Sequence, residues 1–237
     1  MKRLPLSLLV LAACQPSSNP ASTSTSTSTS TSTSTSTVTA NTTPLSATTT
    51  TTSVTGPAAV GKGAPGFSLK DVDGNSVSLE QFKGKVVVLE WFNPECPFVR
   101  ASHTKGSLVG TAKRATAQGV VWLAINSAAP GRQGHGAAVN VTGKQKFGLA
   151  HPILLDESGE VGRAYGATNT PHMFVIDDKG VLVYRGAIDN SPDGEGDSPA
   201  GGKLVNYVET ALAELAQGKP VSTQETKAYG CSVKYGK

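Results

Sequence analysis

Charge is sparse in this chain, and its distribution carries more information than its amount. No Asp, Glu, Lys or Arg occurs between Leu4 and Gly61. Residues 22–37 are an unbroken Ser/Thr alternation, and the same bias runs on to Thr55. A stretch with so little to bury cannot offset the entropy of ordering, so it reads as a disordered spacer. A long apolar run is missing as well: the apolar stretch at 4–13 has ten residues, whereas crossing about 30 Å of hydrocarbon takes roughly 20. No basic run is present. Setting aside Lys2 and Arg3, the 21 Lys+Arg fall to 19 against 17 Asp+Glu, a net +2 for the remainder, which gives no electrostatic footprint for nucleic acid. The four histidines, His103, His135, His151 and His172, lack metal-type spacing, so no metal and no cofactor are expected. Gly131, Gly134 and Gly136 fit no phosphate-binding motif and read as a loop rim. What remains from Gly56 onward is about 180 residues, enough for one core.

At the start, Met1-Lys2-Arg3 is positive, 4–13 is apolar, and Leu11-Ala12-Ala13-Cys14 ends in small residues before a cysteine. This segment resembles a bacterial lipoprotein signal. The resemblance implies cleavage before Cys14, lipidation of its thiol and, because Gln15 is not aspartate, anchoring in the outer membrane, facing the periplasm or the surface. The alternative is an ordinary secretory signal with an incidental Cys14; either way the domain is exported, and with the lipid anchor the expected location is the cell envelope. The expected organisation is a signal at 1–13, a tether at 14–56, a folded domain at 57–218 and a tail at 219–237 carrying Cys231.

Within the domain, strands alternate with helical stretches. Residues 67–72 and 76–79 flank Asp73-Gly74-Asn75 as a hairpin. The apolar, β-branched run at 85–92 reads as a strand covered on both faces. Pro97 suits the first position of a helix, which Gly106 interrupts or kinks. A strand at 120–126, a helix within 137–149, a strand at 152–155 and a short helix near 160–165 follow. A hairpin at 173–177 and 181–188 turns on Asp177-Asp178-Lys179-Gly180. Leu204, Val208, Leu212 and Leu215 recur at helical spacing before Gly218-Lys219-Pro220. The result is a mixed α/β layered domain.

The chemistry concentrates at Asn93-Pro94-Glu95-Cys96-Pro97-Phe98-Val99-Arg100. Cys96 stands where a buried strand runs into a helix, beside free N–H groups and the positive end of the dipole, which favours the nucleophilic thiolate. Arg100, one turn on, adds positive charge, while Glu95 opposes it. On that basis Cys96 should alkylate faster than Cys231. The plain alternative is a small buried hydrophobe.

The run from Trp91 to Arg100 resembles the active-site segment of exported thioredoxin-like proteins, and Tyr165-Gly166-Ala167-Thr168-Asn169-Thr170-Pro171-His172-Met173-Phe174 resembles their second signature. More narrowly, with Gly230-Cys231-Ser232-Val233-Lys234-Tyr235 at the end, the chain is similar to redoxins of the alkyl hydroperoxide reductase/thiol-specific antioxidant superfamily, in a peroxiredoxin-like branch. The resemblance implies a thioredoxin fold, with a central mixed sheet and helices on both faces. It also implies a cis Thr170–Pro171 bond that exposes the Thr170 backbone to a substrate strand, with Pro97 and Arg100 beside it. Glu90 would be a buried acid of raised pKa that relays the proton of Cys96; its alternative is a salt bridge at the sheet edge.

The departures define the chemistry expected. Val99 stands where thioredoxins have their second cysteine, so no C-x-x-C disulfide forms. Leu89 and Asn93 stand where peroxiredoxins carry Pro and Thr/Ser, and their arginine is replaced in the Thr170–Pro171 segment. Cys231, on a tail expected to be mobile, is the remaining thiol to resolve a mixed disulfide or sulfenic acid at Cys96, unless the two form a structural bridge or never meet. The expected function is a thiol-based oxidoreductase of the antioxidant class that reduces a protein disulfide or hydroperoxide with electrons from an external thiol partner. The alternative is a non-catalytic metal or haem-assembly module using Cys96 and His172.

Overall fold

The computed structural model describes residues 57–237; the signal, the lipidation of Cys14 and the tether lie outside the described residues. Among these, no helix is long and apolar enough to cross a membrane. The frame is a seven-stranded mixed sheet in the order β2-β1-β5-β4-β3-β7-β8. Its strands are β1 (Ser68–Asp71), β2 (Ser76–Ser78), β3 (Val87–Trp91), β4 (Val121–Asn126), β5 (Ile153–Leu155), β7 (His172–Ile176) and β8 (Leu182–Gly186). A separate two-stranded sheet pairs β6 (Asn169–Thr170) with β9 (Cys231–Ser232).

β3 is buried at every position because it has a neighbour on each side, β4 parallel and β7 antiparallel, and layers on both faces. Leu89 and Trp91 point into a core with Tyr165 and Phe174. Val88 points the other way, to Trp122, Val175 and Tyr184. Each such side chain contributes roughly 1.5–3 kcal/mol on burial. Helices cover both faces, as expected. α4 (Glu160–Tyr165) packs through Val161 and Tyr165 on the first, while α1 (Pro97–Thr104), α2 (Thr111–Ala117) and α5 (Tyr207–Ala216) pack on the second. α3 (Ala137–Lys146) precedes Phe147, which lies against that same second face.

The interruption at Gly106 has a packing cause. A Cβ there would stand 2.1 Å from the Gly194 carbonyl oxygen, so backbone meets backbone where α1 ends and the chain turns toward α2. One boundary differs from the sequence reading. Leu204 is 42% exposed and precedes α5, because Asn206 caps that helix by accepting the Glu209 N–H at 3.0 Å.

Candidate active site

β3 delivers the chain to Cys96 through a turn built by Asn93. Its Oδ1 accepts the Glu95 N–H at 2.9 Å, and its Nδ2 donates to the Gln133 carbonyl at 3.0 Å. Glu95 is drawn to the glycine-rich loop, where its Oε2 accepts the Gly134 N–H at 2.7 Å. Cys96 then becomes the N-cap residue of α1 and Pro97 its first residue. The thiol makes no capping bond. It is 0% exposed, walled by Phe92, Val99, Ala124 and Ile153, and its Sγ donates to the Thr170 carbonyl at 3.0 Å.

The second sulfur arrives on the tail. β9 pairs antiparallel with β6, Thr170 opposite Cys231 and Asn169 opposite Ser232, and this register sets Cys231 Sγ 2.8 Å from Cys96 Sγ. Both thiols are free, and the gap exceeds the ~2.05 Å of a formed S–S bond by under an ångström.

The expectation of a mobile tail is corrected. The Val233 N–H donates to the Thr168 carbonyl at 3.0 Å, and the Lys234 carbonyl accepts the Ala129 N–H at 2.9 Å. Tyr235 Oη donates to the Ala167 carbonyl at 2.8 Å. Tyr235 fits against α4 because Gly162 has no side chain; a Cβ there would lie 2.4 Å from the Tyr235 oxygen. Gly230 is equally constrained, at φ 105°, with the Thr170 oxygen 2.3 Å from where its Cβ would be.

The Thr170–Pro171 bond is cis. The Thr170 edge is nevertheless not open: Thr170 is buried, and β9 occupies the strand position beside it. Pro97 and Arg100 are exposed on the rim.

Glu90 departs from expectation. It is fully buried, and His103 Nε2 lies 2.7 Å from Oε1 while the Trp122 indole donates to Oε2 at 3.1 Å. Both carboxylate oxygens are thus occupied by residues other than Cys96. Burial alone would raise its pKa, but His103 first, then His151 and the Trp122 bond, hold it below the ordinary value. It is paired deep in the sheet, neither at an edge nor of raised pKa.

His172 is also committed. Its Nδ1 accepts the Thr168 N–H at 3.3 Å, and its ring lies 4.5 Å from that of Phe174. Burial, reinforced by Arg185, lowers its pKa to about 4. Among the described residues, no group of three or more His, Cys, Asp or Glu side chains could hold a metal.

Sequence reading missed His103, Gly230 and the Tyr235 anchor. Thirteen residues separate Glu90 from His103, so no local pattern announces the pair. Gly230 did carry a signal, a glycine immediately before the tail cysteine.

Residues 59–203 match the Redoxin family. The thiol-disulfide oxidoreductase ResA of Geobacillus thermodenitrificans is 34% identical over 124 residues, 52% of this chain and 66% of that protein. The chloroplastic peroxiredoxin Q of Triticum aestivum is 31% identical over 147 residues, 55% of this chain and 60% of that protein. The match therefore spans less than two thirds of either relative. The crystal structure of an uncharacterized conserved protein from Geobacillus kaustophilus is 33% identical with a TM-score of 0.64, covering 75% of this chain and 93% of that one. That of a hypothetical protein from Sinorhizobium meliloti 1021 is 28% identical with a TM-score of 0.64, covering 75% and 95%. The fold is the thioredoxin fold.

Proposed function

The chain belongs to the Redoxin family, and from that premise we propose that it is an exported, lipid-anchored thiol-dependent oxidoreductase whose redox pair is Cys96 and Cys231. The observation that carries this reading is the 2.8 Å between the two sulfurs, brought together across 135 residues by β6–β9 pairing. The signal, the lipid anchor on Cys14, the tether at 14–56 and the envelope location belong to the same proposal and rest on the sequence.

The order of events follows from the surroundings of the two thiols. Burial, then the hydrogen bond and charge of Cys96, raise the pKa of Cys231 to about 11, so Cys231 stays protonated, and Cys96, at the start of α1, is the attacking sulfur. Cys96 attacks one sulfur of a partner disulfide, that S–S bond breaks, and the other partner sulfur leaves as a thiolate that takes a proton from solvent. Once Cys96 is bound in the mixed disulfide, its hydrogen bond and charge no longer add to the burial that keeps Cys231 protonated. Cys231 then loses its proton and attacks Cys96 Sγ, expelling the second partner thiolate and leaving a Cys96–Cys231 disulfide. The substrate gains two electrons, and an external dithiol returns them to the pair. Pro97, Arg100 and the Thr170–Pro171 backbone line the approach.

A disulfide suits this site better than a hydroperoxide. Leu89 points into the core away from Cys96, and the Asn93 amide is spent on the turn. A hydroperoxide would therefore find no free donor at the position where a peroxiredoxin carries Thr/Ser. Losing one preorganised donor costs about 10²–10³ in rate. Cys96-dependent consumption of hydrogen peroxide is accordingly expected at least ~100-fold below that of a peroxiredoxin Q followed in parallel by stopped flow; comparable rates would overturn the preference.

The pair itself is tested by intact mass in graded thiol/disulfide buffers and by trapping. The wild-type chain should lose two hydrogens on oxidation through a Cys96–Cys231 bond. Cys231→Ser should accumulate a mixed disulfide at Cys96 when given an oxidised protein substrate, and Cys96→Ser should abolish reduction. Oxidised protein without the Cys96–Cys231 bond, or reduction that survives Cys96→Ser, would refute the reading.

A further inference from the structure

We infer that β9 is a strap that competes with substrate for the Asn169–Thr170 edge, and that the segment able to replace it is extended polypeptide with glycine immediately before its cysteine. The inference rests on the thiol-disulfide reading above and adds who can reach the nucleophile, and when. Cys96 is 0% exposed. A disulfide held in another protein cannot approach a sulfur so enclosed while β9 stays paired, so the strap must lift before attack.

What the strap does in the closed state shows what must replace it. It runs antiparallel to β6 with Cys231 opposite Thr170, and that register alone places a sulfur beside Cys96. An incoming strand that presents its own cysteine to Cys96 follows the same path and meets the same wall. At the residue before the cysteine, a Cβ would stand 2.3 Å from the Thr170 oxygen and 3.0 Å from its carbonyl carbon. Both are backbone atoms and cannot swing aside. The positive φ of 105° at Gly230 is a second reason for glycine there.

The strap is held lightly at this point and firmly beyond it. Two residue pairs and one side-chain bond, Asn169 Nδ2 to the Gly230 carbonyl at 3.0 Å, fix 230–232. Val233 and Tyr235 are buried or anchored against Thr168 and Ala167. Lifting the short pairing therefore does not require undocking the rest of the tail, and the population in the lifted state sets the apparent rate at Cys96.

The test uses the full chain carrying Cys14→Ser and Cys231→Ser, so that Cys96 is the single thiol. The probes are short peptides, Ala-Tyr-Gly-Cys-Ser-Val and its Ala-Cys and Val-Cys counterparts, each joined through its cysteine to 2-nitro-5-thiobenzoate. Attack by Cys96 on the peptide sulfur releases the coloured thiolate, which gives the rate. Adding Gly230→Ala should raise that rate about tenfold or more by populating the lifted strap. Asn169→Ala, which leaves Gly230 in place, should raise it in the same direction and serves if the glycine variant misfolds. On the opened protein the Gly-Cys probe should outpace the Val-Cys probe about tenfold, with the Ala-Cys probe between them. Rates unchanged by either opening variant would overturn the strap, and equal rates for the three probes would overturn the glycine requirement. Wild-type oxidation in graded buffers separates this failure from the wider one: if the Cys96–Cys231 disulfide forms while the strap test fails, only the present inference falls.

Discussion

His103→Ala is expected to destabilise the domain by about 3–5 kcal/mol, the usual cost of leaving a buried charge without its partner. The Glu90 carboxylate is fully buried in the central strand, and its two polar contacts are His103 Nε2 at 2.7 Å and the Trp122 indole at 3.1 Å. Removing the imidazole keeps one donor and forfeits the closer one. It also removes the ring stacked on Phe147 at 5.7 Å. The double variant Glu90→Gln/His103→Leu should be more stable than His103→Ala alone, because a neutral amide can still accept from Trp122 and no uncompensated charge remains. Urea midpoints for the wild type, His103→Ala, Glu90→Gln and the double variant read this directly. A loss below ~1 kcal/mol for His103→Ala would mean that the pair contributes no more than an exposed one. The comparison also reports on Glu90 as a proton relay. If Glu90 serves the thiol, Glu90→Gln should shift the pH profile of Cys96 alkylation in the Cys231→Ser chain; if it serves only His103 and Trp122, the profile stays where it is and stability alone changes.

Much of the frame was legible because it rests on local pattern. The continuous apolar run of β3, the proline that opens α1, the hairpin turn at Asp177-Asp178-Lys179-Gly180 and the 160–165 helix were readable from periodicity and turn chemistry, and all are present. What was not legible depends on distance in sequence. Glu90 looks like an isolated acid in an apolar strand until α1 folds over it and brings His103 alongside. The tail looks mobile because it follows Pro220 and contains Gly230, yet that glycine is what allows it to lie against Thr170. Flexibility in the unfolded chain and close approach in the folded one favour the same residue, and sequence alone does not tell them apart. Leu204 fits the helical spacing of α5 but falls before the Asn206 cap, because capping, not periodicity, decides where a helix starts. The expected order of alkylation changes for a related reason. The helix start at Cys96 is covered by the strand that carries Cys231, so alkylation of Cys96 ahead of Cys231 is expected only once that strand lifts.

Acid should weaken the domain well before its carboxylates protonate, and the strap should loosen as the pH nears 4, where His172 itself takes a proton. His151 and His172 are buried, and burial lowers both to about 4; Arg185 acts in the same direction on His172, while at His151 Glu90 opposes and His103 and Lys144 assist. In the unfolded chain both titrate near 6.5. Between those values the unfolded state binds protons that the folded state refuses, so stability rises with pH: the contribution is intact above about 6.5 and disappears as pH falls toward 4. Each histidine accounts for roughly 3 kcal/mol over that window, at about 1.36 kcal/mol per pKa unit. Glu90, whose folded pKa is lowered, adds a loss only as the pH falls through that lower value. Urea midpoints followed from pH 7.5 to 4.5 should therefore slope with about two protons of uptake, and His151→Gln and His172→Gln should each remove about one. Equal slopes in wild type and both variants would sink the assignment. The two histidines differ in what they disturb. His172 Nδ1 accepts the Thr168 N–H, a protonated ring cannot accept it, and the Thr168 carbonyl in turn receives the Val233 N–H of the tail. Protonating His172 thus loosens the segment on which β9 rests. Protection factors at Thr168 and Val233, referred to the intrinsic exchange rate at each pH, should fall on acidification in wild type ahead of those in β3, and protection falling together in all three would assign the acid effect to global unfolding instead.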